Sequence, residues 1–259
     1  MPKFAANLSF LFTERPFPQR FAAAAAAGFK GVEYLFPYDW PAAEIAGWLA
    51  AAGLEQVLFN LPPGDWAAGE RGLACLPGRQ GEFAEGVEQA LHYALALDCR
   101  RVHCLAGLRP PGVPEAELEA VYLANLRHCA DRFAPLGLTV TIEPINSRID
   151  MPGYWLDTPA RAFELQARID RANVAVQYDI YHAQIMAGDL AHTLEARLGR
   201  IGHVQIADNP GRHEPGTGEI NYPFLFDLLD RLGYAGWVGC EYKPRAGTEA
   251  GLEWFRAWR

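Results

Sequence analysis

Residues 133–146 read FAPLGLTVTIEPIN. A helix-like run, Glu115–Phe133, stops at the first residue of this stretch, and Gly137 supplies the left-handed cap that ends it. A short apolar run follows, ending on Glu143 and then on irregular backbone around Pro144. The same order returns in AAAGFKGVEY (25–34), LAAAGLEQVLF (49–59) and DRLGYAGWVGCEY (230–242). The last of these, through GCEYKP (239–244), also closes an apolar run on a carboxylate, Glu241. Two strands that finish on glutamate, nearly a hundred residues apart, pose a question about function.

Working outward, eight β-like runs are found: KFAANLS, GVEYLF, LEQVLFN, RVHCLAG, LTVTIEP, VAVQYDI, HVQIAD and WVGCEY. Helix-like stretches separate them at Phe21–Ala27, Ala42–Ala52, Phe83–Leu97, Glu115–Phe133, Pro159–Ile169, Leu190–Leu198 and Phe224–Leu232. An eighth, Glu249–Trp258, follows the last strand. Strands joined through long helical connections pair in parallel. Eight such units predict one closed (β/α)8 TIM barrel, an α/β fold, as a single domain over 1–259. No GxGxxG follows the first strand, so the dinucleotide fingerprint of an open doubly wound sheet is missing.

Composition narrows the function classes. The formal charge of -8 argues against a nucleic-acid surface. No window of eighteen unbroken apolar residues suggests a membrane span. The start meets charge and proline too early for a secretory signal. Five cysteines without CxxC spacing fit a reducing, cytoplasmic setting better than a disulfide framework. An acidic protein that binds an anion needs local cations, which singles out Arg71, Arg212 and Lys243. The sequence leaves the oligomeric state, a homo-oligomer included, open.

In a barrel, catalytic groups sit where strands run into the βα loops. The eight candidate strands end on or near Asn7, Glu33, Asn60, His103, Glu143, Asp179, Gln205 and Glu241. One polar strand end is ordinary turn chemistry, but eight converge on a single rim. The last four, Glu143, Asp179, Gln205 and Glu241, offer oxygen-only ligation, which suits Mg²⁺ or Mn²⁺ better than zinc or copper. Without a cation, three carboxylates in one mouth would repel and raise a pKa.

The neighbouring loops add further candidates. QYDIYHAQ places His182 three residues after Asp179. The Gly-rich DNPGRHEPGTGEINY brings Arg212 after the seventh strand. The long segment after the third strand offers Asp65, Trp66 and Arg71 as a lid. His103 is a ligand or a satisfied barrel histidine, whereas His92 and His128 fall within helices and read as structural.

Taken in order, FNLPPGDWAAGERGLACLPGR, VHCLAG, IEPINSRIDMPGYWL, QYDIYHAQ, HVQIADNPGRHEPGTGEINY and GCEYKP resemble the hydroxypyruvate isomerase family, which includes 2-oxo-tetronate isomerases and belongs to the xylose isomerase-like barrels. The resemblance implies that Glu143 and Glu241 are the paired proton donor and acceptor. It implies metal ligation by Glu143, Asp179, Gln205 and Glu241, and substrate contacts from His182 and Arg212. Related ketose epimerases usually have histidine where Gln205 stands.

The expected chemistry is proton transfer between adjacent carbons of a small hydroxy or oxo acid through an enediolate. Other readings are a ketose 3-epimerase using the same glutamates, a non-catalytic sugar-acid-binding barrel, and an endonuclease-IV-like repair enzyme. The last would need a histidine-rich zinc site and a basic surface, which 7 histidines and a charge of -8 disfavour.

Overall fold

In a computed structural model of the protein, residues 1–258 are described; Arg259, the last residue of the expected domain, lies outside the described residues. The strands are β1 (Lys3–Asn7), β2 (Gly31–Glu33), β3 (Glu55–Asn60), β4 (Arg101–Cys104), β5 (Thr139–Ile142), β6 (Val174–Asp179), β7 (Ile201–Ile206) and β8 (Trp237–Cys240). They are parallel, and β8 returns to pair with β1, closing the barrel. All eight expected strands are present, so the fold is the (β/α)8 barrel expected from the sequence.

The connecting helices are α1 (Phe17–Ala27), α2 (Ala42–Ala52), α3 (Gln80–Ala96), α4 (Glu115–Phe133), α5 (Pro159–Ile169), α6 (Ile180–Met186), α7 (Leu190–Arg197), α8 (Tyr222–Arg231) and α9 (Glu253–Arg256). Gly53 and Gly137 end their helical segments with φ of 64° and 67°, the left-handed turn that the repeated motif implies. Helix α1 starts four residues earlier than expected, because Pro18 tolerates the first turn, where its missing N–H costs nothing. The C-terminal segment is a 3-10 turn, Ala250–Leu252, followed by α9, rather than one helix over 249–258. Gly251 lies in that turn and weakens continuous helix.

Helix α6 is the element that the sequence reading missed. It has seven residues, and Ile180, Tyr181, His182 and Ala183 are all buried, so no one-sided apolar stripe announces it. Its cap is Asp179, whose side chain accepts from Tyr181 N at 2.8 Å.

Two apolar bodies hold the barrel. One large cluster fills the shell between strands and helices. A small separate one, Ala5, Val57, Leu58 and Trp237, comes from β1, β3 and β8 and plugs the barrel interior. Above that plug the interior turns polar. Glycine makes the room: a Cβ on Gly239 would lie 2.3 Å from Glu33 Oε1, so the buried Glu33 carboxylate occupies the space a side chain would take.

Gly239→Ala should therefore lose about 1–3 kcal/mol of stability through overpacking. Gly47→Ala, in α2 with nothing within 4 Å of the added methyl, should gain about 0.8–1 kcal/mol from helix propensity. Urea melts of the two variants, which should shift in opposite directions, check this.

Candidate active site

The four residues expected as ligands all arise at the C-terminal ends of β5 to β8. Asp179 and Gln205 are register partners, and Gln205 pairs with Gly239, two residues before Glu241. A cavity of about 230 Å³ opens above them. Glu143, Glu241, His103, His182, Arg71, Arg212 and Lys243 line it. Asp179 and Gln205 lie deeper, both almost wholly buried. Larger grooves lie on the outer surface, one between α5 and α7 and one beside α1, and neither includes a residue expected at the site.

Amide side chains connect the carboxylates beneath this cavity. Gln205 Nε2 donates to Glu241 Oε2 at 2.6 Å and to Glu33 Oε1 at 2.8 Å. Both partners are acceptors, so the Gln205 oxygen must face the other way. There it accepts from Gln177 Nε2 at 2.6 Å, and the same nitrogen reaches Glu143 Oε2 at 3.1 Å. Asn7 Nδ2 donates to Glu33 and Glu241, each at 3.1 Å, and His203 Nε2 lies 2.6 Å from Glu33 Oε2. Glu143 and Glu241 are thus joined through two amides in series. Gln205, expected as an oxygen ligand, here turns its nitrogen to Glu241 and its oxygen to Gln177.

Arg212 is set by its loop. The Asp208 carboxylate accepts from the backbone N–H groups of Asn209, Gly216, Thr217, Gly218 and Ile220, at 2.9–3.1 Å. Those bonds fold the Gly-rich segment into one shape. Arg212 stands in it with φ of 56°, and its carbonyl accepts from Lys243 N at 2.7 Å. Its guanidinium lies between the rings of Phe10 and Tyr181, 5.0 and 5.3 Å from their centroids. It reaches Glu241 Oε1 at 2.5 Å and Asp150 Oδ1 at 3.3 Å, with Asp179 Oδ2 at 3.9 Å.

Glu143 Oε1 and Asp179 Oδ2 are buried oxygens without a hydrogen-bond partner among the described residues. Their residues form with His182 a group in which one candidate ligand atom from each lies within 4.8 Å of the others, and His182 Nε2 is 3.8 Å from Glu143 Oε1 and 3.6 Å from Asp179 Oδ2. Two unpartnered, buried carboxylate oxygens fit a hard divalent cation. Both Glu241 oxygens and the Gln205 oxygen already accept hydrogen bonds, so a cation held by all four expected residues would share those oxygens with Arg212 and Gln177.

Burial dominates the titration behaviour. Desolvation pushes Glu143 well above the usual carboxylate range, and Glu241 and Asp179 push it further. Desolvation raises Glu241 to about 8 although Arg212 opposes it, and Asp179 to about 6 against the same opposition. His182 is held well below its ordinary value by desolvation and then by Arg212; desolvation lowers His103 to about 3. For Arg212, desolvation works against the charge, but Glu241, Asp179 and Asp150 outweigh it.

The remaining expected residues have mixed surroundings. His103 Nδ1 lies 3.2 Å from Asn60 Oδ1, and its Nε2 is 3.5 Å from Glu143 Oε2. Arg71 packs 4.0 Å over Trp66 and donates to the carbonyls of Trp66 and Glu70. Trp66 and Arg71 face the cavity, whereas Asp65 is exposed and caps a turn through Ala68 N. The segment after β3 is strapped down: Gly72 bridges Ala106, and Glu70 pairs with Arg79 at 2.6 Å.

Asn146, Asp150 and Gln177 were not singled out from the sequence. Asp150 lies in the quoted run IEPINSRID, seven residues after Glu143, and lines the cavity. Gln177 precedes Asp179 by two residues, so the strand period puts both on one face. That period was the signal available for Gln177.

A closed parallel barrel with buried carboxylates at its mouth is the architecture of a xylose isomerase-like TIM barrel, and a family model of that description matches residues 21–258. A Cupriavidus necator protein named 2-oxo-tetronate isomerase is 53% identical over 99% of this chain and 98% of its own length. An Escherichia coli protein named hydroxypyruvate isomerase is 49% identical over the full length of both. The chain belongs to this hydroxypyruvate isomerase family of xylose isomerase-like barrels. A solved Brucella melitensis structure, described as an AP endonuclease of family 2, is 55% identical, with a TM-score of 0.98 and 100% of each chain covered.

The pKa of Asp179 predicts a stability signature. Its folded value of about 6 exceeds the unfolded value of about 3.9. The folded state thus favours the protonated form, and this contribution is present below pH 4 and lost as pH rises through 6. Asn at this position keeps the helix cap and cannot ionise. In EDTA, Asp179→Asn should gain on the parent by on the order of 2–3 kcal/mol between pH 4 and pH 8. Millimolar Mg²⁺ or Mn²⁺ should narrow the gap at pH 8 by stabilising the parent alone. Urea melts at both pH values check both parts.

Proposed function

We propose that this protein is an isomerase that interconverts hydroxypyruvate and tartronate semialdehyde, or acts on a closely related 2-oxo-tetronate. The observation that carries the reading is a pair of buried glutamates, Glu143 and Glu241, with raised proton affinities, lining one small cavity. A carboxyl group whose proton affinity is raised by burial can both take a proton from carbon and give one back. The names of the full-length relatives support the same substrate class.

In the forward direction one glutamate removes a proton from C3 of hydroxypyruvate. The C–H electron pair becomes the new C=C bond, and the carbonyl π pair moves to the C2 oxygen. The other glutamate, or the same one, delivers a proton to C2. The C3 hydroxyl proton moves to the C2 oxygen, leaving an aldehyde at C3. In this reading His182 and Arg212, both lining the cavity, hold the substrate oxygens. Arg71 and Lys243 are the cations for its carboxylate, and Lys243 forms no ion pair among the described residues.

Mg²⁺ or Mn²⁺ bound by Glu143 and Asp179, with Glu241 and Gln205 completing the expected set, would stabilise the negative charge on the substrate oxygens. The amides of Gln177, Gln205 and Asn7 hold the two glutamates apart and in place, which is positioning by fixed donors rather than by mobile water. The endonuclease reading, which the description of the Brucella structure brings back, is disfavoured by a cavity of about 230 Å³ and a formal charge of -8. A ketose 3-epimerase would use the same glutamates, but no relative named above has that activity in its name.

Glu143→Gln and Glu241→Gln should each lower kcat about 10²–10⁴-fold while the far-UV spectrum stays unchanged. Isomerisation in D₂O, followed by proton NMR, should place deuterium on the carbon that accepts the proton. Near-normal turnover by either variant would exclude the paired mechanism. Separately, Lys243→Met or Arg71→Met should raise KM for the oxo acid roughly 10–100-fold if that side chain binds the carboxylate. An unchanged KM in both would assign the anion site elsewhere.

A further inference from the structure

We infer that Asn146 fixes the tautomer of His182, so that His182 Nε2 always bears a proton and donates it in a hydrogen bond to the substrate oxygen that gains charge. His182 is then neither a general base nor a metal ligand. The donor's target rests on the isomerase reading above; the tautomer itself does not.

The deduction starts from two backbone donors. Asn146 is fully buried, and its Oδ1 accepts from Ile149 N at 2.9 Å and Asp150 N at 3.0 Å. A backbone N–H can only donate. Turning the amide around would set its NH₂ against two backbone N–H groups, donor against donor. The amide orientation is therefore determined by the local turn.

Asn146 Nδ2 must then face the opposite side, where it meets Asp150 Oδ2 at 2.6 Å and His182 Nδ1 at 2.7 Å. One amide proton serves each. Asp150 Oδ2 also accepts the Tyr181 hydroxyl at 2.9 Å, which holds that carboxylate in place. His182 Nδ1 must present its lone pair to the amide. A neutral imidazole has one N–H, so it sits on Nε2. A protonated ring would point a second N–H at the amide N–H, which the same geometry opposes.

This conclusion changes how the buried cluster is read. Glu143, Asp179 and His182 are close enough to share an ion. Yet a ligating imidazole offers a lone pair, and the lone pair of His182 is spent on Asn146. His182 Nε2 stands 3.6 Å from Asp179 Oδ2 and 3.8 Å from Glu143 Oε1, and its ring lines the cavity. As a glutamate takes the C–H proton, the carbonyl oxygen becomes a strong acceptor, and a neutral N–H donor fixed in advance stabilises it without reorganisation. Asn146 touches none of the reacting atoms and is a positioning residue.

The test exchanges donor for acceptor at constant charge. Asn146→Asp combined with Asp150→Asn keeps an acceptor for the two backbone N–H groups and presents a carboxylate oxygen to His182 Nδ1. That oxygen demands a proton on Nδ1. Asp150→Asn alone is the control, since it removes the negative charge facing Arg212 but leaves the Asn146 donor. Protein labelled with ¹⁵N-histidine reports each tautomer directly, with the His182 signals identified by their loss in His182→Gln.

In the parent and the control, His182 Nδ1 should resonate as the unprotonated ring nitrogen and Nε2 as the protonated one. In the double variant the two should exchange, and kcat should fall about 10²–10³-fold below the control, with a smaller change in KM. A parent protein with the proton on Nδ1 would overturn the proposal, and that measurement needs no folded double variant. A double variant with exchanged nitrogens and the kcat of the control would overturn the donor role. A parent that turns over neither hydroxypyruvate nor a 2-oxo-tetronate would remove the isomerase reading and the donor's target, while the spectra would still decide the tautomer.

Discussion

Glu33, Glu143, Asp179 and Glu241 lie inside the barrel almost without access to water, and the mouth is organised around the cost of keeping them there. An unpaired buried charge costs several kcal/mol even after relaxation. The chain meets that cost largely with amides. Asn7, Gln177 and Gln205 each aim an NH₂ at carboxylate oxygens. An amide satisfies a carboxylate without cancelling its charge, so the group stays available for proton transfer. The satisfaction is also incomplete: Glu143 Oε1 and Asp179 Oδ2 have no hydrogen-bond partner among the described residues, and their side chains belong with His182 to a group that could hold a cation.

Arg212 is the cationic counterpart to this design. It comes from a loop held by one buried carboxylate, Asp208, through five backbone bonds, so its position depends on the main chain rather than on its own flexible stem. Its bond to Glu241 competes with anything else that needs that carboxylate, whether an ion or a proton. Because Arg212 opposes the desolvation that raises Glu241, anything that draws the guanidinium away raises the proton affinity of Glu241 further.

A polar barrel interior is affordable because stability is supplied elsewhere. The large apolar shell between strands and helices is continuous around the ring, while the interior contributes only the small plug of Ala5, Val57, Leu58 and Trp237. Gly239 gives its volume to Glu33 instead of to packing. The lower barrel is closed and apolar, and the upper half is free to hold charge.

The alternation of apolar runs, helical runs and capping glycines was enough to predict the barrel, because each of those signals acts over a few residues. The strand ends were legible for the same reason: Glu143, Asp179, Gln205 and Glu241 occupy equivalent positions in a repeated unit. Helix α6 was not legible, since burial on several sides erases the stripe that marks a helix. Nor was the direction of any side-chain hydrogen bond. Gln205 offers an oxygen or a nitrogen according to what faces it, and its partners Glu33, Gln177 and Glu241 come from three other strands or their ends. Asn7 reaches Glu241 across 234 residues of sequence, and Asn146 reaches His182 across 36. An amide or an imidazole has no fixed donor side until its neighbours are in place, so the chemistry of these residues was decided only when the barrel closed.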